Sequence, residues 1–366
     1  MSSSNGGLPP RKNGQPAGKQ TAGKPQPGTV ARKPANPKRT KKKKKLTAGR
    51  RVLRMFLILL LLAVLGGLGY GAFLYYKLDQ GILDTGIDKP VPPGQSAKVK
   101  PLTVLLLGTD SRPKHQSYLT DVIMVASLNP DTKSATIVSL PRDTYFDLDG
   151  YKTRKINAYY GAFKAQEKEA GNSKAEDAMK KMLGTYLGVP IDYTVVLDFQ
   201  AFREVVDELG GVSVNVSADM CYKDTADGTN INLKKGPAEL DGDKALDYVR
   251  YRKSNCKPRT AASDDFDRNR RQSEVLHSLI GKLQSFDGLS KMGDILDAVD
   301  NNMLTDIENA QLKDMIAKYW NISKEDVEFV PVTGSWRSPY VYLNESELDR
   351  AKQALKNRLA GGTAAP

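Results

Sequence analysis

The chain has 366 residues with a formal net charge of +13, from 55 Lys and Arg against 42 Asp and Glu, and it holds 2 Cys. Sixteen of the basic residues fall in residues 1–54, where there is no Asp or Glu, so the remainder is slightly acidic at −3. That balance excludes a basic footprint spread over the folded part, and with it a nucleic-acid partner; two cysteines without a CxxC spacing also exclude a zinc site built on them.

Residues 1–54 are rich in Gly, Pro, Lys, Ser and Ala. Such a stretch has too little apolar surface to offset its ordering entropy and is expected to be a disordered basic tail. Its run Lys41–Lys45 suits the anionic lipid heads of an inner leaflet. Residues 55–76, MFLILLLLAVLGGLGYGAFLYY, carry no charge. At 1.5 Å per residue they span roughly 33 Å, the thickness of a bilayer core, and read as one transmembrane signal-anchor. Basic residues on its N-terminal side place the N-terminus in the cytoplasm and the rest outside, in a single-pass cell-membrane protein. A cleaved signal peptide would have a shorter apolar run and a small-residue cleavage site, whereas Tyr75-Tyr76-Lys77-Leu78-Asp79 follows here. Residues 77–100, with Lys89-Pro90-Val91-Pro92-Pro93-Gly94, read as an extended extracytoplasmic stalk.

A folded domain is expected over 101–360. Leu102–Leu107 is an apolar run of strand length ended by Gly108, and Asp121–Ser127 with Ser134–Leu140 flanks the turn signal Asn129-Pro130-Asp131. A helix is expected from Gly161 to Leu187, a strand over Tyr193–Leu197, a helix over Gln200–Leu209 and a strand over Val212–Val216. Helices follow at 240–249, 266–285, 292–300, 308–320 and 345–358, with a late strand over Val327–Val332. Alternation of strands and amphipathic helices implies an α/β fold, a three-layer α/β/α domain around a central mixed sheet. Cys221 and Cys256 would form a disulfide in an exported domain, the alternative being two buried thiols.

Three arginine-bearing patches lie on this domain: Arg142 in Ser139-Leu140-Pro141-Arg142-Asp143, Arg250 and Arg252 in Tyr248-Val249-Arg250-Tyr251-Arg252, and Arg268 with Arg271 and Gln272 in Asp265–Gln272. Guanidinium groups repel one another, so several converging on one cleft need an anion, and their bidentate forks suit phosphate oxygens. Taken singly each patch has a plainer reading, Arg142 pairing with Asp143 or Asp147 and the others forming solvated faces. Asp110 and Arg112 leave the first strand at the sheet's carboxyl edge, and Asp121 opens the next strand near enough to Asp110 to share a cation with it. Two carboxylates and diphosphate oxygens suit Mg²⁺, against the alternative of a cap and a surface ion pair. The only histidines, His115 and His277, sit in no motif with a nucleophile and an orienting carboxylate, so a Ser–His–Asp or Cys–His hydrolase is not indicated.

The strings LLLGTDSR, TDVIMVASLNP, SLPRD, KINAYYG, LGVPIDYTVVLDFQAF, LGGVSVNV, LDGDKALDYVRYR and DDFDRNRRQ, in this order over most of residues 101–275, resemble the LytR–CpsA–Psr family. The resemblance implies an envelope enzyme that transfers an anionic glycopolymer, such as wall teichoic acid or a capsule-like polymer, from an undecaprenyl diphosphate carrier to peptidoglycan as a phosphodiester. It further implies Asp110 and Asp121 as Mg²⁺ ligands, and Arg112, Arg142, Arg250, Arg252 and Arg268 on the diphosphate with Gln272 supporting the head group. Arg112, Arg142 and Asp121 would be the catalytic residues, with Asp121 the first candidate for general base. Val196, Leu197, Phe199 and Phe202 are candidate liners of a prenyl groove, or plain core. The family usually carries Arg two residues before the second Asp, where this chain has Leu119, and its intervening loop is about one residue longer, which turns attention to Lys114 and His115. Competing functions are a polyprenyl-diphosphate hydrolase with water as acceptor, a non-catalytic prenyl-lipid binding or regulatory protein, and a transcription-linked role of the lysine-rich tail.

Overall fold

The computed structural model describes residues 69, 71–73, 75–76, 86–112, 115–170, 174–225, 228–263, 265–320 and 322–361. The basic tail and nearly all of the apolar run 55–76 lie outside these residues, though 69, 71–73, 75 and 76 are helical. Among the described residues no helix is long and apolar enough to cross a membrane.

A six-stranded mixed sheet organises the domain. Its strands are β1 (Leu102–Arg112), β2 (His115–Asn129), β3 (Ser134–Ser139), β6 (Tyr193–Asp198), β11 (Met303–Thr305) and β12 (Val327–Pro331), in the spatial order β11-β6-β1-β2-β3-β12. β1 runs antiparallel to β2 and parallel to β6, β2 antiparallel to β3, and β3 parallel to β12. Successive side chains in a strand point to opposite faces. Leu105, Leu107, Ile123, Val125, Val138 and Val196 therefore pack on one side, against α1 (Tyr159–Ala170), α2 (Ala175–Leu187) and α9 (Glu345–Leu359). Leu106, Val122, Met124 and Ile137 point to the other side, where α3 (Phe199–Glu208), α5 (Asp265–Leu283) and α8 (Asn309–Tyr319) cover them. The result is three layers, α/β/α, and each fully buried Leu or Val contributes about 1.5–3 kcal/mol to it.

Several elements depart from the sequence expectation. Gly108 does not end the first strand: β1 continues to Arg112 and β2 begins at His115, so the hairpin is much longer than the apolar runs that mark it. The helix expected from 161 to 187 is two helices, the second ended by Gly188 in the left-handed conformation (φ 69°), its N–H bonded to the Gly184 carbonyl at 2.8 Å. β7 (Val212–Val216) forms a separate ribbon with β10 (Gly236–Leu240) and is not part of the main sheet. β4 (Tyr145–Phe146) with β5 (Arg154–Lys155), β8 (Met220–Lys223) with β9 (Asn230–Leu233), and β13 (Gly334–Arg337) with β14 (Tyr340–Leu343) form three more ribbons. Residues 86–100, expected as an extended stalk, are docked on α8. Ala97 is fully buried, and Gln311 both accepts from the Ala97 N–H (2.9 Å) and donates to the Gln95 carbonyl (2.9 Å). An extended segment whose backbone groups find side-chain partners gains order that its proline content alone does not provide.

Candidate active site

The β1–β2 hairpin sets the carboxylates. Gly108 pairs with Val122, Thr109 with Thr120, and the next pair is Ser111 with Gln116. Asp121 is thus the extra residue of a bulge on β2, and Asp110 falls in the irregularity just beyond. Bulges re-aim side chains and twist the strand, and Asp110 and Asp121 each adjoin one member of the same Thr109–Thr120 pair. The strands come so close here that a Cβ on Gly108 would lie 2.9 Å from the Val122 Cβ.

Arg142 follows Pro141 at the end of β3. The turn is fixed by Thr144, whose hydroxyl donates to the Pro141 carbonyl at 2.6 Å, and by the Asn157 N–H, which donates to the Arg142 carbonyl at 3.2 Å. Arg142 Nη1 donates to Asp121 Oδ1, and its Nε lies 3.6 Å from Asp143 Oδ2. Asp143 is 4% exposed and stands among three cations: Lys155 Nζ donates to its Oδ1 at 2.7 Å, and Arg252 Nη2 approaches Oδ2 to 4.0 Å. A buried carboxylate so surrounded fixes the guanidiniums of Arg142 and Arg252 near each other and offsets part of their repulsion.

The second arginine patch is placed by α4 (Gly242–Arg250), which Asp241 caps by accepting from the Lys244 N–H at 2.9 Å. The chain turns extended at Tyr251, and the two arginines reach different partners. Arg252 goes to Asp143, while the Arg250 guanidinium sits 4.8 Å above the centre of the Phe199 ring. Arg271 is 2% exposed and holds this segment: Nη1 donates to the Tyr248 carbonyl (2.6 Å), Nη2 to the Tyr251 carbonyl (2.8 Å) and Ser263 Oγ (2.6 Å). Burial lowers its pKa from the ordinary arginine value, and the carbonyls at the end of α4 answer its charge. Cys221 and Cys256 are joined as a disulfide with Cα atoms 5.9 Å apart, four residues beyond Arg252.

An apolar cavity of about 150 Å³ opens between the sheet and α3, α4 and α5, lined by Leu106, Val122, Met124, Leu197, Phe199, Phe202 and Leu276 among others. Its polar margin is Gln272 of α5 and Asp198, which caps α3 through the Gln200 and Ala201 N–H groups at 2.8 and 2.9 Å. Val122 follows Asp121 in sequence and Phe199 lies under Arg250, so the cavity borders the charged groups. Beside it, burial raises the Asp247 carboxyl to about 6, the Arg250 guanidinium opposing that shift and Asp243 and Asp241 adding to it.

Asp121, Arg142 and Arg252, named from the sequence, are therefore brought together through Asp143, while Arg250 and Gln272 stand on the cavity's edge. Arg268 is buried one turn before Gln272 on α5. The Arg112 backbone pairs with His115 at the hairpin's tip; the Arg112 and His115 side chains and Lys114 lie outside the described residues. Of the four groove candidates Leu197, Phe199 and Phe202 line the cavity, but Val196 does not: one step along the strand, it faces the opposite layer. Leu119 is 45% exposed on the hairpin. Sequence reading gave no role to Lys155 and treated Asp143 as a mere partner; their signals were the strings KINAYYG and SLPRD. Among the described residues there is no group of three acidic, His or Cys side chains able to hold a metal. Two carboxylates beside one bulged pair fit a hard cation that takes its other ligands from water and phosphate, as Mg²⁺ does, and fit a closed protein cage poorly.

The model of the LytR_cpsA_psr family matches residues 84–357. The chain belongs to the LytR–CpsA–Psr family. This LytR–CpsA–Psr chain is 35% identical over 271 residues, 72% of its length and 79% of the relative's, to polyisoprenyl-teichoic acid–peptidoglycan teichoic acid transferase TagU of Bacillus mycoides. It is 31% identical over 344 residues, 88% of its own length and 98% of the other, to the transferase TagT of Bacillus subtilis. The crystal structure of B. subtilis TagV superposes with a TM-score of 0.56 at 28% identity, covering 72% of this chain and 98% of that one.

Proposed function

We propose that this chain is a glycopolymer transferase that moves an anionic polymer of the teichoic acid class from a polyisoprenyl diphosphate carrier, undecaprenyl in the expected case, to peptidoglycan. The family membership and the named activities of TagU and TagT, teichoic acid transfer to peptidoglycan, support the reaction class. The observation that carries the reading is the ion-pair cluster Asp121–Arg142–Asp143–Arg252 beside an apolar cavity. A ligand with a doubly charged head and a long hydrocarbon tail satisfies both at once.

In this reading the prenyl chain lies along Phe199, Phe202 and Leu276, and the diphosphate meets Arg142, Arg252 and Arg250, with Arg112, Arg268 and Gln272 completing its surroundings. An acceptor hydroxyl attacks the distal phosphorus, the bond from that phosphorus to the bridging oxygen breaks, and prenyl phosphate departs. Asp121 takes the hydroxyl proton. The guanidinium forks answer the charge that gathers on the phosphoryl oxygens and the leaving group. Asp110 and Asp121 would hold Mg²⁺, which supplies further neutralisation of the diphosphate; Arg142, bonded to Asp121 here, would then be available to phosphate. The uncharged run 55–76 behind a basic tail, and the disulfide, support a single-pass protein with this domain on the outer face, where peptidoglycan lies.

The test is transfer of a labelled polymer from a lipid diphosphate donor to peptidoglycan by the purified full chain. Arg142→Ala and Arg252→Ala are expected to lower kcat about 100-fold or more, as loss of a donor to developing charge does. Undiminished transfer by Arg142→Ala overturns the assignment, and free phosphorylated glycan without attached polymer makes water the acceptor.

A further inference from the structure

We propose that the aromatic β13–β14 hairpin is the subsite for the sugar rings of the acceptor glycan strand, with Trp336 as its main stacking surface. The inference rests on the transfer reaction proposed above and assigns it a second binding surface, joined to the charged cluster through Lys155.

Trp336 is 53% exposed, a large apolar side chain held out to solvent at a ribbon of four-residue strands. Its ring is met by Lys155 Nζ, 5.7 Å from the centroid. Beside it, Tyr145 stacks on Tyr342 (centroids 4.9 Å apart, planes at 23°) and meets Tyr340 edge-on at 5.2 Å, while Arg337 covers the other ring approach to Tyr342 at 5.1 Å. The three tyrosines thus form a half-buried cluster on one face of the ribbon, while Trp336, paired across the strands with Val341, stands on the other face as the most exposed ring of the hairpin, beside the cation of Lys155.

Hard contacts couple Trp336 and its hairpin to the cluster. The Val341 N–H donates to the Asp143 carbonyl at 2.9 Å, and Lys155, under Trp336, binds the Asp143 carboxylate at 2.7 Å. In order, the contacts run from the cavity through Val122 and Asp121 to Arg142, Asp143, Lys155 and Trp336. A sugar ring stacked on Trp336 is thus separated by one side chain, Lys155, from the Asp143 carboxylate beside Arg142, which places the hydroxyls of its strand near a phosphorus held there.

The chemistry around the exposed Trp336 ring selects the acceptor over the donor polymer. The axial C–H bonds of a pyranose carry partial positive charge and seat on the negative face of an aromatic ring. A polymer of phosphodiesters would need a track of open cations, whereas Lys155 is matched by Asp143 and Arg337 lies on Tyr342. Neutral N-acetylhexosamine rings meet no such requirement.

The chain has two tryptophans, so Trp320→Phe leaves Trp336 as sole reporter. In the full chain in detergent micelles, soluble peptidoglycan glycan strands are expected to change its fluorescence saturably, and poly(glycerol phosphate) to leave it unchanged. In transfer assays Trp336→Ala should raise the acceptor KM about tenfold, the scale of one lost stacking contact, with donor KM unchanged. Trp336→Phe should recover most of that. No saturable response to glycan strands, an equal response to the phosphate polymer, or a change confined to donor KM overturns the proposal. A chain that binds glycan strands but consumes no lipid-linked donor keeps the subsite and refutes the transfer reaction.

Discussion

At the scale of single residues, charge in this domain is placed by what surrounds it. Arg271 and Arg252 look alike in the sequence, yet one is a buried tie to backbone carbonyls and the other reaches the carboxylate of the cluster. Asp247 shows the cost of such placement. Burial raises its carboxyl from 3.8 to about 6, so the folded protein binds that proton more tightly than the unfolded chain does. Stability therefore declines as pH rises from about 4 to about 6, and the full cost remains above that range. Asp247→Asn removes the charge while leaving the backbone carbonyl that accepts from the Tyr251 N–H. After allowance for its partial exposure, the expected gain at pH 7.5 is about 1 kcal/mol, or roughly 2–4 °C in Tm. Melting curves should show that gain shrinking as pH falls through about 6; a gain independent of pH would mean the carboxyl is not the cause.

At the scale of elements, the hairpin β1–β2 does the positioning. Its bulges put Asp110 and Asp121 beside one residue pair, and its close approach at Gly108 leaves no room for a Cβ. Gly108→Ala must push Val122 away by a few tenths of an ångström and shift the bulge that follows. The expected loss is modest in stability, about 1–2 kcal/mol, but larger in catalysis, because a 1 Å misplacement of a reacting group costs about 100-fold. A variant that loses stability with kcat unchanged would separate the bulge from the site. Gly108 also marks the limit of what the sequence disclosed. The apolar runs located β3, β6 and most helices to within a few residues and marked the inner half of β2, since period and length are local properties. Gly108 suggested a strand end because isolated glycine interrupts a pattern, and only the pairing partner reveals a bulge instead. The three aromatic and polar ribbons escaped notice for the same reason: strands of two to four residues exist through their neighbours. The arginines of the site were legible from motif order, but Asp143, which holds Arg142 and Arg252 together, reads in isolation as an ordinary acidic neighbour.

At the scale of the whole molecule, the cluster draws on segments far apart in the chain, and Arg252 is carried by 251–263, which belongs to no strand or helix. Arg271 from α5 and three links to β8 fix it: the disulfide from Cys256 to Cys221, the paired bonds of the Asn255 side chain with the Lys223 N–H (2.8 Å) and carbonyl (2.5 Å), and the Cys221 N–H donating to the Thr260 hydroxyl (3.1 Å). Opening the disulfide frees a loop with a sequence separation of 35, which the chain-entropy model values at roughly 3–4 kcal/mol. Replacement of both cysteines by serine is expected to lower Tm by roughly 6–15 °C for a domain of this size. The sheet and the Asp121–Arg142 pair lie outside the closed loop, whereas Leu246 and Val249 of the cavity wall and Arg250 lie within it, so donor binding should weaken before the fold is lost. Assayed well below its melting point, the double variant should therefore show a raised donor KM with near-native circular dichroism. Unchanged donor KM would mean that Arg271 and the Asn255 and Thr260 hydrogen bonds suffice to present Arg252, leaving the disulfide a purely global brace.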